Sequence, residues 1–380
     1  MQVHAGPRNV NPGIPAMRIA VSVELANATM LGPSCARHHA LEESCIDMKI
    51  GIIGAGAIGG FFAARLALSG HEVSVLARGA TLEVMRGGGL RLDSGGASHT
   101  VAVRASDDAR ALGAQDVVVL AVKAPSLEQV LPALSAMRTP DTVVVPALNG
   151  LPWWYFLGTS GPLAGHRLGR VDPRGAIERA APIASVLGCV VFPACSVAAP
   201  GHVIHASGNR IVFGEPAGGT SERAQSITGA FREAGFDAEA SATIRQEIWL
   251  KLLGNACFNP VSLLTRCATD LLIDDPRVHA LFTQMMHEAL AVGAAIGIPA
   301  AIEPEQRLAL TRRLGNIKTS MLQDAQAGRP VEIEAILGTL VEVAGESAVP
   351  APLLTAVYAL ARMHAISAGL LAPDATDGAI

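Results

Sequence analysis

Three polar side chains recur every four residues in an otherwise apolar stretch, residues 244–264. They are Lys251, Asn255 and Asn259, and in a helix this spacing places them in one row along a single face. Burying an ammonium group and two amides is costly unless polar partners meet them. A lysine can stabilise a negative oxygen as it develops and then protonate it. Pro260 is expected to bend or break the helix just after Asn259.

A second polar set lies at residues 318–334. Ser320 begins a run with helical spacing, and the Gly-Arg-Pro sequence at 328–330 predicts a turn. Glu332 then opens the last long helical region. Glu332 and Glu334 should point in different directions, so that only one of them can serve a pocket.

A glycine cluster near the start of the chain has the spacing of a phosphate-binding loop. Gly54, Gly56 and Gly59 form G-x-G-x-x-G between an apolar strand at 49–53 and helix-forming residues at 61–69. The first glycine permits a tight turn, the second lets a pyrophosphate approach the backbone, and the third lets the helix pack on the strand. The amino end of the helix offers free N–H groups. This context predicts a dinucleotide site.

The residue after the next strand indicates which dinucleotide. Residues 71–77 are predicted as a strand, and Arg78 follows. An NAD enzyme usually has an acidic residue here, which binds the ribose hydroxyls. A guanidinium favours the extra phosphate of NADP instead. The sequence therefore predicts NADPH.

Polar residues also follow two later strands. The strand at 116–122 is followed by Lys123, and the strand at 142–148 is followed by Asn149. Ligands bind at the carboxyl ends of parallel strands, so both residues are site candidates.

Each of these features has a plainer interpretation. The glycine cluster could be a turn without a ligand, and Arg78 a solvated loop residue. Lys123 and Asn149 could be ordinary loop residues, and Lys251 a surface lysine whose ammonium reaches solvent.

The composition limits the class of protein. The chain has 380 residues, half of them hydrophobic, and a net charge of −4. The length suits two domains, and the absence of a basic cluster argues against nucleic acid. The apolar runs are too short to cross a membrane. Six cysteines without framework spacing indicate reduced thiols of a cytoplasmic protein.

The first 47 residues show no periodicity. We interpret residues 1–47 as a disordered leader, or as the product of an upstream start codon with Met48 as the natural first residue. A metal site is the alternative, but the spacings of its candidate ligands match no zinc module, so no metal is expected. Those candidates are Cys35, His38, His39 and Cys45.

The middle of the chain is less legible. Residues 152–156 hold an aromatic cluster that lines a substrate pocket or packs in a core or an interface. Residues 158–175 are expected to form an exposed loop. Short strands at 185–192, 202–206 and 210–213 suggest antiparallel hairpins that extend the sheet.

The order of elements defines the fold class. We predict an α/β protein in which a Rossmann-type dinucleotide-binding domain, residues 48–241, precedes an all-helical domain, residues 242–372. Residues 373–380 form a tail. Apolar helices suggest a homodimer.

The motifs together resemble the ketopantoate reductases (2-dehydropantoate 2-reductases). The resemblance runs from Met48 to about residue 368. It rests on GAGAIGG, LAR, VKA, LNG, IWLKLLGNACFNP and SMLQD…GRPVEIEAILG, in this order. It implies reduction of 2-dehydropantoate to pantoate with NADPH as cofactor.

The resemblance also implies roles for individual residues. Lys251 would be the general acid, and Glu332 would hold either the substrate hydroxyl or the Lys251 ammonium. The residues implied near the cofactor are Gly54, Ala55, Gly56, Ala57, Ile58, Gly59, Arg78, Lys123 and Asn149. Those implied at the substrate are Asn149, Asn255, Asn259, Ser320 and Glu332.

Two departures leave alternatives open. The segment after Gly150 and the loop at 158–183 differ from many members of the family, and both fall near the expected substrate. A different, bulkier or more apolar 2-keto acid is therefore one alternative. A non-catalytic NADPH-binding regulator is another.

Overall fold

A computed structural model of the chain describes residues 48–373. The expected leader with its alternative metal ligands Cys35, His38, His39 and Cys45, and residues 374–380 of the tail, lie outside the described residues. The described part contains no helix that is both long and apolar enough to cross a membrane.

The strands of the described residues are short, and all of them lie before residue 241. They are β1 (Lys49–Ile53), β2 (Glu72–Leu76), β3 (Leu90–Ser94), β4 (Ala97–Val101), β5 (Arg104–Ser106), β6 (Val117–Leu120), β7 (Val143–Pro146), β8 (Gly188–Val191), β9 (Ala194–Ala199), β10 (His202–Ser207), β11 (Arg210–Gly214) and β12 (Asp237–Ala240).

From residue 244 onwards, the described residues form one helix after another with no strand between them. The α-helices are α1 (Ala57–Leu68), α2 (Gly79–Gly88), α3 (Ala109–Leu112), α4 (Leu127–Met137), α5 (Ala176–Ala180), α6 (Glu222–Glu233), α7 (Ile244–Thr265), α8 (Thr269–Asp274), α9 (Pro276–Ala295), α10 (Pro304–Arg312), α11 (Ser320–Gln326), α12 (Thr339–Glu346) and α13 (Pro352–Ser367).

The central sheet has five parallel strands in the order β5-β2-β1-β6-β7. The predicted strands at 49–53, 71–77, 116–122 and 142–148 are confirmed as β1, β2, β6 and β7, although the last three are shorter than predicted. Their side chains are largely buried on both faces, as expected for a parallel sheet covered by helices. All carboxyl ends therefore lie along one edge.

The later hairpins do not extend this sheet, so that expectation was wrong. They form two further sheets, of order β4-β3-β10-β9 and β12-β11-β8. A single parallel bridge, Val144 to Val186, approaches the central sheet before β8 turns away to pair with β11. The sheet that contains β10 packs on α1, where Val203 lies close to Gly60. That sheet thus covers the helix.

Two hydrophobic clusters share the central sheet. Ile52 belongs to one cluster and Ile53 to the other, because successive side chains of a strand point to opposite faces. The cluster of Ile52 lies between the sheet, α1 and the smaller sheets. The cluster of Ile53 runs without interruption into the helical region.

The aromatic segment belongs to this second cluster. Trp153, Trp154 and Tyr155 are almost fully buried, and the Tyr155 hydroxyl donates a hydrogen bond to the Arg245 carbonyl at 2.9 Å. The segment therefore packs in the core, as one interpretation predicted, and Trp154 also borders a cavity next to Lys251. The following loop is not wholly exposed as expected, because Leu168 in it is buried.

Helix α7 is the centre of the helical region and packs against α9, α11 and α13. It continues through Pro260 to Thr265, so of the expected bend or break the helix does not show the break. The residues around Pro260 are buried, and this packing holds the helix together although one backbone donor is missing. After Val331, a π-helical turn, Glu334–Gly338, leads into α12.

Candidate active site

The glycine loop joins β1 to α1 at the carboxyl edge of the sheet. Gly54 has a φ of +111°, which favours glycine. A Cβ on Gly59 would lie 1.9 Å from the Gly54 carbonyl oxygen, whereas a Cβ on Gly56 would meet nothing within 4 Å. The expected reasons for Gly54 and Gly59 are confirmed. Gly56 leaves open space where a phosphate group would approach.

The amino end of α1 has room for an anion. Gly56 is its N-cap and provides no side-chain hydrogen bond, and the first intrahelical bond to it comes from the Gly60 N–H. The N–H groups of Ala57 and Ile58 in the first turn are among those that a helix leaves unpaired. Together with the space at Gly56, these donors fit the pyrophosphate of a dinucleotide.

Arg78 lies just beyond the carboxyl end of β2, as the N-cap of α2, and is exposed. Its guanidinium makes no hydrogen bond or ion pair with any residue between 48 and 373. The five donors of this side chain are thus available to a phosphate.

Lys123 bridges the sheet edge to the helical region. Its Nζ lies 2.8 Å from the Asp324 Oδ2 on α11 and 2.7 Å from the Pro330 carbonyl oxygen. Asp324 also pairs with Arg329 at 3.0 Å. The family resemblance implied a place near the cofactor, and in the structure the ammonium is held by protein groups.

Lys251 reaches the same edge from α7. Its Nζ donates hydrogen bonds to the Asn149 Oδ1 at 2.9 Å and to the Val191 carbonyl at 2.6 Å. The Asn149 Nδ2 donates to the Glu332 Oε2 at 3.2 Å, and the Ala124 N–H donates to the Glu332 Oε1 at 3.1 Å. Asn149 therefore links the lysine to the carboxylate, which Lys251 does not contact by a hydrogen bond.

Burial changes the proton affinity of both ionisable groups. It lowers the pKa of Lys251 from 10.5 to about 8, against the negative charge of Glu332, which raises it. It raises the pKa of Glu332, against the hydrogen bonds from the Ala124 N–H and Asn149 and the charge of Lys123. A lysine with this pKa is largely protonated at pH 7 and can release its proton easily.

The two amides continue the row along α7. Asn259 is 4% exposed, and its Nδ2 has no acceptor in the described structure. Asn255 is half-buried and borders, together with Lys251 and Trp154, a cavity of about 20 Å³. Ser320 begins α11, which packs against α7. The predicted row and the sheet edge are thus brought together at Lys251.

Several groups at Lys251 carry no signal in the sequence. The Val191 carbonyl and the Ala124 N–H are backbone groups, which every residue has. Phe192 places its ring centroid 5.9 Å from the Lys251 Nζ, and in the sequence it only ends a run of strand-forming residues. Among residues 48–373, no group of three or more potential metal ligands comes together.

Comparison with known proteins agrees with this arrangement. The family model described as ketopantoate reductase PanE/ApbA matches residues 50–218, and the model of its C-terminal part matches residues 243–365. A 2-dehydropantoate 2-reductase of Mesorhizobium japonicum is 44% identical over 323 residues, which are 85% of this chain and 99% of that protein.

Solved structures are similar as well. A crystal structure of a protein described as a ketopantoate reductase, from Ralstonia solanacearum MolK2, has a TM-score of 0.82 and 48% identity, covering 86% of this chain and all of that one. The 2-dehydropantoate 2-reductase of Methylococcus capsulatus has a TM-score of 0.72 and 31% identity, covering 84% and 97%.

The parallel sheet with its glycine loop, followed by the helical region, is the fold of an oxidoreductase that depends on a nicotinamide dinucleotide. Oxidoreductases of this kind act on 2-keto acids. The chain belongs to the ketopantoate reductase family.

Proposed function

We propose that the protein reduces 2-dehydropantoate to pantoate with NADPH. The observation that carries this proposal is the position of the Lys251 Nζ, which lies 2.9 Å from Asn149 at the edge where the glycine loop also begins. A general acid from the helical region thereby faces the part of the sheet that would hold a cofactor. The names of the relatives support the choice of substrate.

The cofactor would lie along the carboxyl edge of the sheet. The loop from Gly54 to Gly59, with Ala55, Ala57 and Ile58, would hold the pyrophosphate, and Arg78 would bind the 2′-phosphate. Asn149 would contact the nicotinamide end. Lys123, held by its ion pair with Asp324, would lie at the border of the cofactor site. When bound, NADPH supplies the hydride.

Lys251 would act on the keto oxygen. As C2 accepts the hydride, negative charge develops on this oxygen, and the ammonium stabilises it and then donates a proton. The hydrogen bonds to Asn149 and to the Val191 carbonyl hold the Nζ in place. Glu332, which is hydrogen-bonded to Asn149, would stabilise the charged form of Lys251. Its carboxylate would also accept a hydrogen bond from the substrate hydroxyl.

The substrate carboxylate would lie further along α7. Asn255, Asn259 and Ser320 provide neutral donors, which suit a carboxylate. The Asn259 Nδ2 lacks an acceptor among the described residues, and a buried donor without a partner is unfavourable. A carboxylate oxygen would supply the missing acceptor.

We also infer a cytoplasmic homodimer. Among the described cysteines, Cys189, Cys195, Cys257 and Cys267 are free thiols. Helix α13 exposes Leu360 and Met363, each by more than half, and light scattering on the purified protein measures whether a dimer forms.

The test is NADPH oxidation by the purified protein with a panel of 2-keto acids. We expect turnover that is highest with 2-dehydropantoate. Higher kcat/KM with another keto acid would reject the substrate and retain the chemistry. Tight NADPH binding without turnover on any acid would reject the enzyme in favour of a regulator.

A further inference from the structure

Phe192 is an exposed aromatic residue beside the proposed general acid. It follows β8 directly, is 39% exposed, and its ring centroid lies 5.9 Å from the Lys251 Nζ. The preceding carbonyl, of Val191, accepts a hydrogen bond from the same ammonium. The surroundings of the Nζ therefore include two polar acceptors and one apolar ring.

A second contact of the Phe192 ring, with Arg210, indicates where the ring lies along α7. The Arg210 guanidinium lies 4.8 Å from the Phe192 ring centroid and 3.4 Å from the Glu247 carboxylate. Glu247 is one turn before Lys251, or roughly 6 Å along the helix axis. Asn255 lies one turn after it. Arg210 thus joins the Phe192 ring to the turn of α7 that precedes Lys251, whereas the amide row follows Lys251.

The shape of a 2-keto acid predicts which part of the substrate would contact Phe192. Its keto oxygen would accept a hydrogen bond from the Lys251 Nζ, and the carboxyl carbon and C3 leave the trigonal C2 on opposite sides of the C=O axis. If the carboxylate lies towards Asn255, then C3 lies towards Phe192. We propose that Phe192 is a specificity-determining residue that packs against apolar groups on C3. This inference rests on the proposed function.

The competing role of the ring is electrostatic. A cation over an aromatic face is stabilised by the ring, so Phe192 could act on the charge of Lys251 without contacting the substrate. That role would affect every keto acid equally. A contact with C3 affects only acids that carry groups there.

The experiment compares two acids that differ only at C3. In 3,3-dimethyl-2-oxobutanoate this carbon carries three methyl groups, and in pyruvate it carries none. For Phe192→Ala we expect kcat/KM to fall about tenfold or more with the branched acid and to stay within about twofold with pyruvate. Phe192→Leu, which keeps an apolar side chain, should restore most of the discrimination.

The controls separate this inference from the proposed function. Leu271→Ala removes an exposed apolar side chain from α8 and should leave the ratio between the acids unchanged. An equal loss on both acids in Phe192→Ala, or no loss on either, overturns the role of Phe192 while the enzyme proposal stands. Wild-type protein that oxidises NADPH with neither these acids nor 2-dehydropantoate overturns the proposed function, and the inference with it.

Discussion

At the scale of single residues, the surroundings of Lys251 determine its chemistry. The Nζ is held by Asn149 and the Val191 carbonyl, and burial lowers its pKa to about 8. A lysine side chain in water has neither these fixed acceptors nor the lowered pKa. The sequence showed the row along α7 but not the acceptors, because the chain folds back over about a hundred residues to place Asn149 there.

Replacing Lys251 with Ala should remove the proton donor. We expect kcat to fall by about 10²- to 10⁴-fold, with NADPH binding retained because the glycine loop is untouched. Stopped-flow turnover and cofactor fluorescence measure the two effects. Lys49→Ala, at an exposed position of β1, is the matched control. Near-normal turnover in the Lys251 variant would exclude the role.

The pH dependence of reduction should report the same ammonium. In the proposed mechanism reduction needs protonated Lys251, so kcat/KM should fall as the pH rises through about 8. The negative charge of Glu332 favours the ammonium and raises this pKa. In Glu332→Gln the descending limb should therefore move to lower pH. A limb that stays in place, or moves to higher pH, would contradict the coupling.

Arg78 should decide between the two nicotinamide dinucleotides. Loss of a charge-assisted contact to the 2′-phosphate costs about 1.5–3 kcal/mol. In Arg78→Ala the Kd of NADPH should therefore rise about 10- to 100-fold, and the Kd of NADH should change little. Fluorescence titrations with both cofactors test this, and equal weakening would mean that Arg78 does not bind the phosphate.

At the scale of elements, the glycine loop was the most predictable part. Its residues are close in sequence, and their spacing reflects contacts within one strand-turn-helix unit. The pairing of the outer strands was less predictable, because a run of strand-forming residues does not indicate which other strand it will pair with. The aromatic segment at 152–156 was ambiguous for a similar reason, since bulky apolar residues suit a core and a pocket equally.

Two helical glycines provide a matched test of the loop. A Cβ on Gly59 would meet the Gly54 carbonyl oxygen at 1.9 Å, whereas Gly229 in α6 has nothing within 4 Å. We expect Gly59→Ala to lower stability by about 1–3 kcal/mol and to weaken NADPH binding. Gly229→Ala should raise stability by about 0.5–1 kcal/mol.

Thermal unfolding and cofactor titration of both variants give the readout. A Gly59 variant that matches the wild type in both would show that the turn adapts without cost. In that case the close approach of α1 to β1 would not explain why this position holds glycine.

At the scale of the whole molecule, one hydrophobic cluster connects the sheet to the helices. It includes Ile53 and Leu120 from the sheet, Trp154 from the connecting segment, and Leu252 and Leu340 from the helical region. The described residues accordingly belong to one compact unit. The proposed boundary between residues 241 and 242 separates two kinds of architecture rather than two cores.

This continuity predicts how the protein unfolds. Calorimetry without cofactor should show one cooperative transition, because separating the two parts would expose apolar surface on both. Two well-separated transitions would contradict this expectation. A fragment of residues 48–241 should likewise expose apolar surface and bind a hydrophobic dye more strongly than the whole chain.

Some contacts of the site could not be predicted from the sequence, because they join distant parts of the chain. The row on α7, the glycine loop and Glu332 were identified from local patterns and from the family resemblance. The pairing of Lys123 with Asp324 joins residues about two hundred positions apart, and no local pattern contains it. Phe192 is placed beside Lys251 only by the packing of β8 on α7.

Gly150 touches the helical region with its backbone. Its φ is +83°, a Cβ there would lie 1.9 Å from the Ala335 carbonyl oxygen, and the neighbouring Leu151 N–H donates to that oxygen at 3.1 Å. Main chain rests on main chain beside both Asn149 and Glu332. A shift of the helical region against this edge of the sheet would have to break the backbone contact, so the contact holds Asn149 and Glu332 at a fixed spacing.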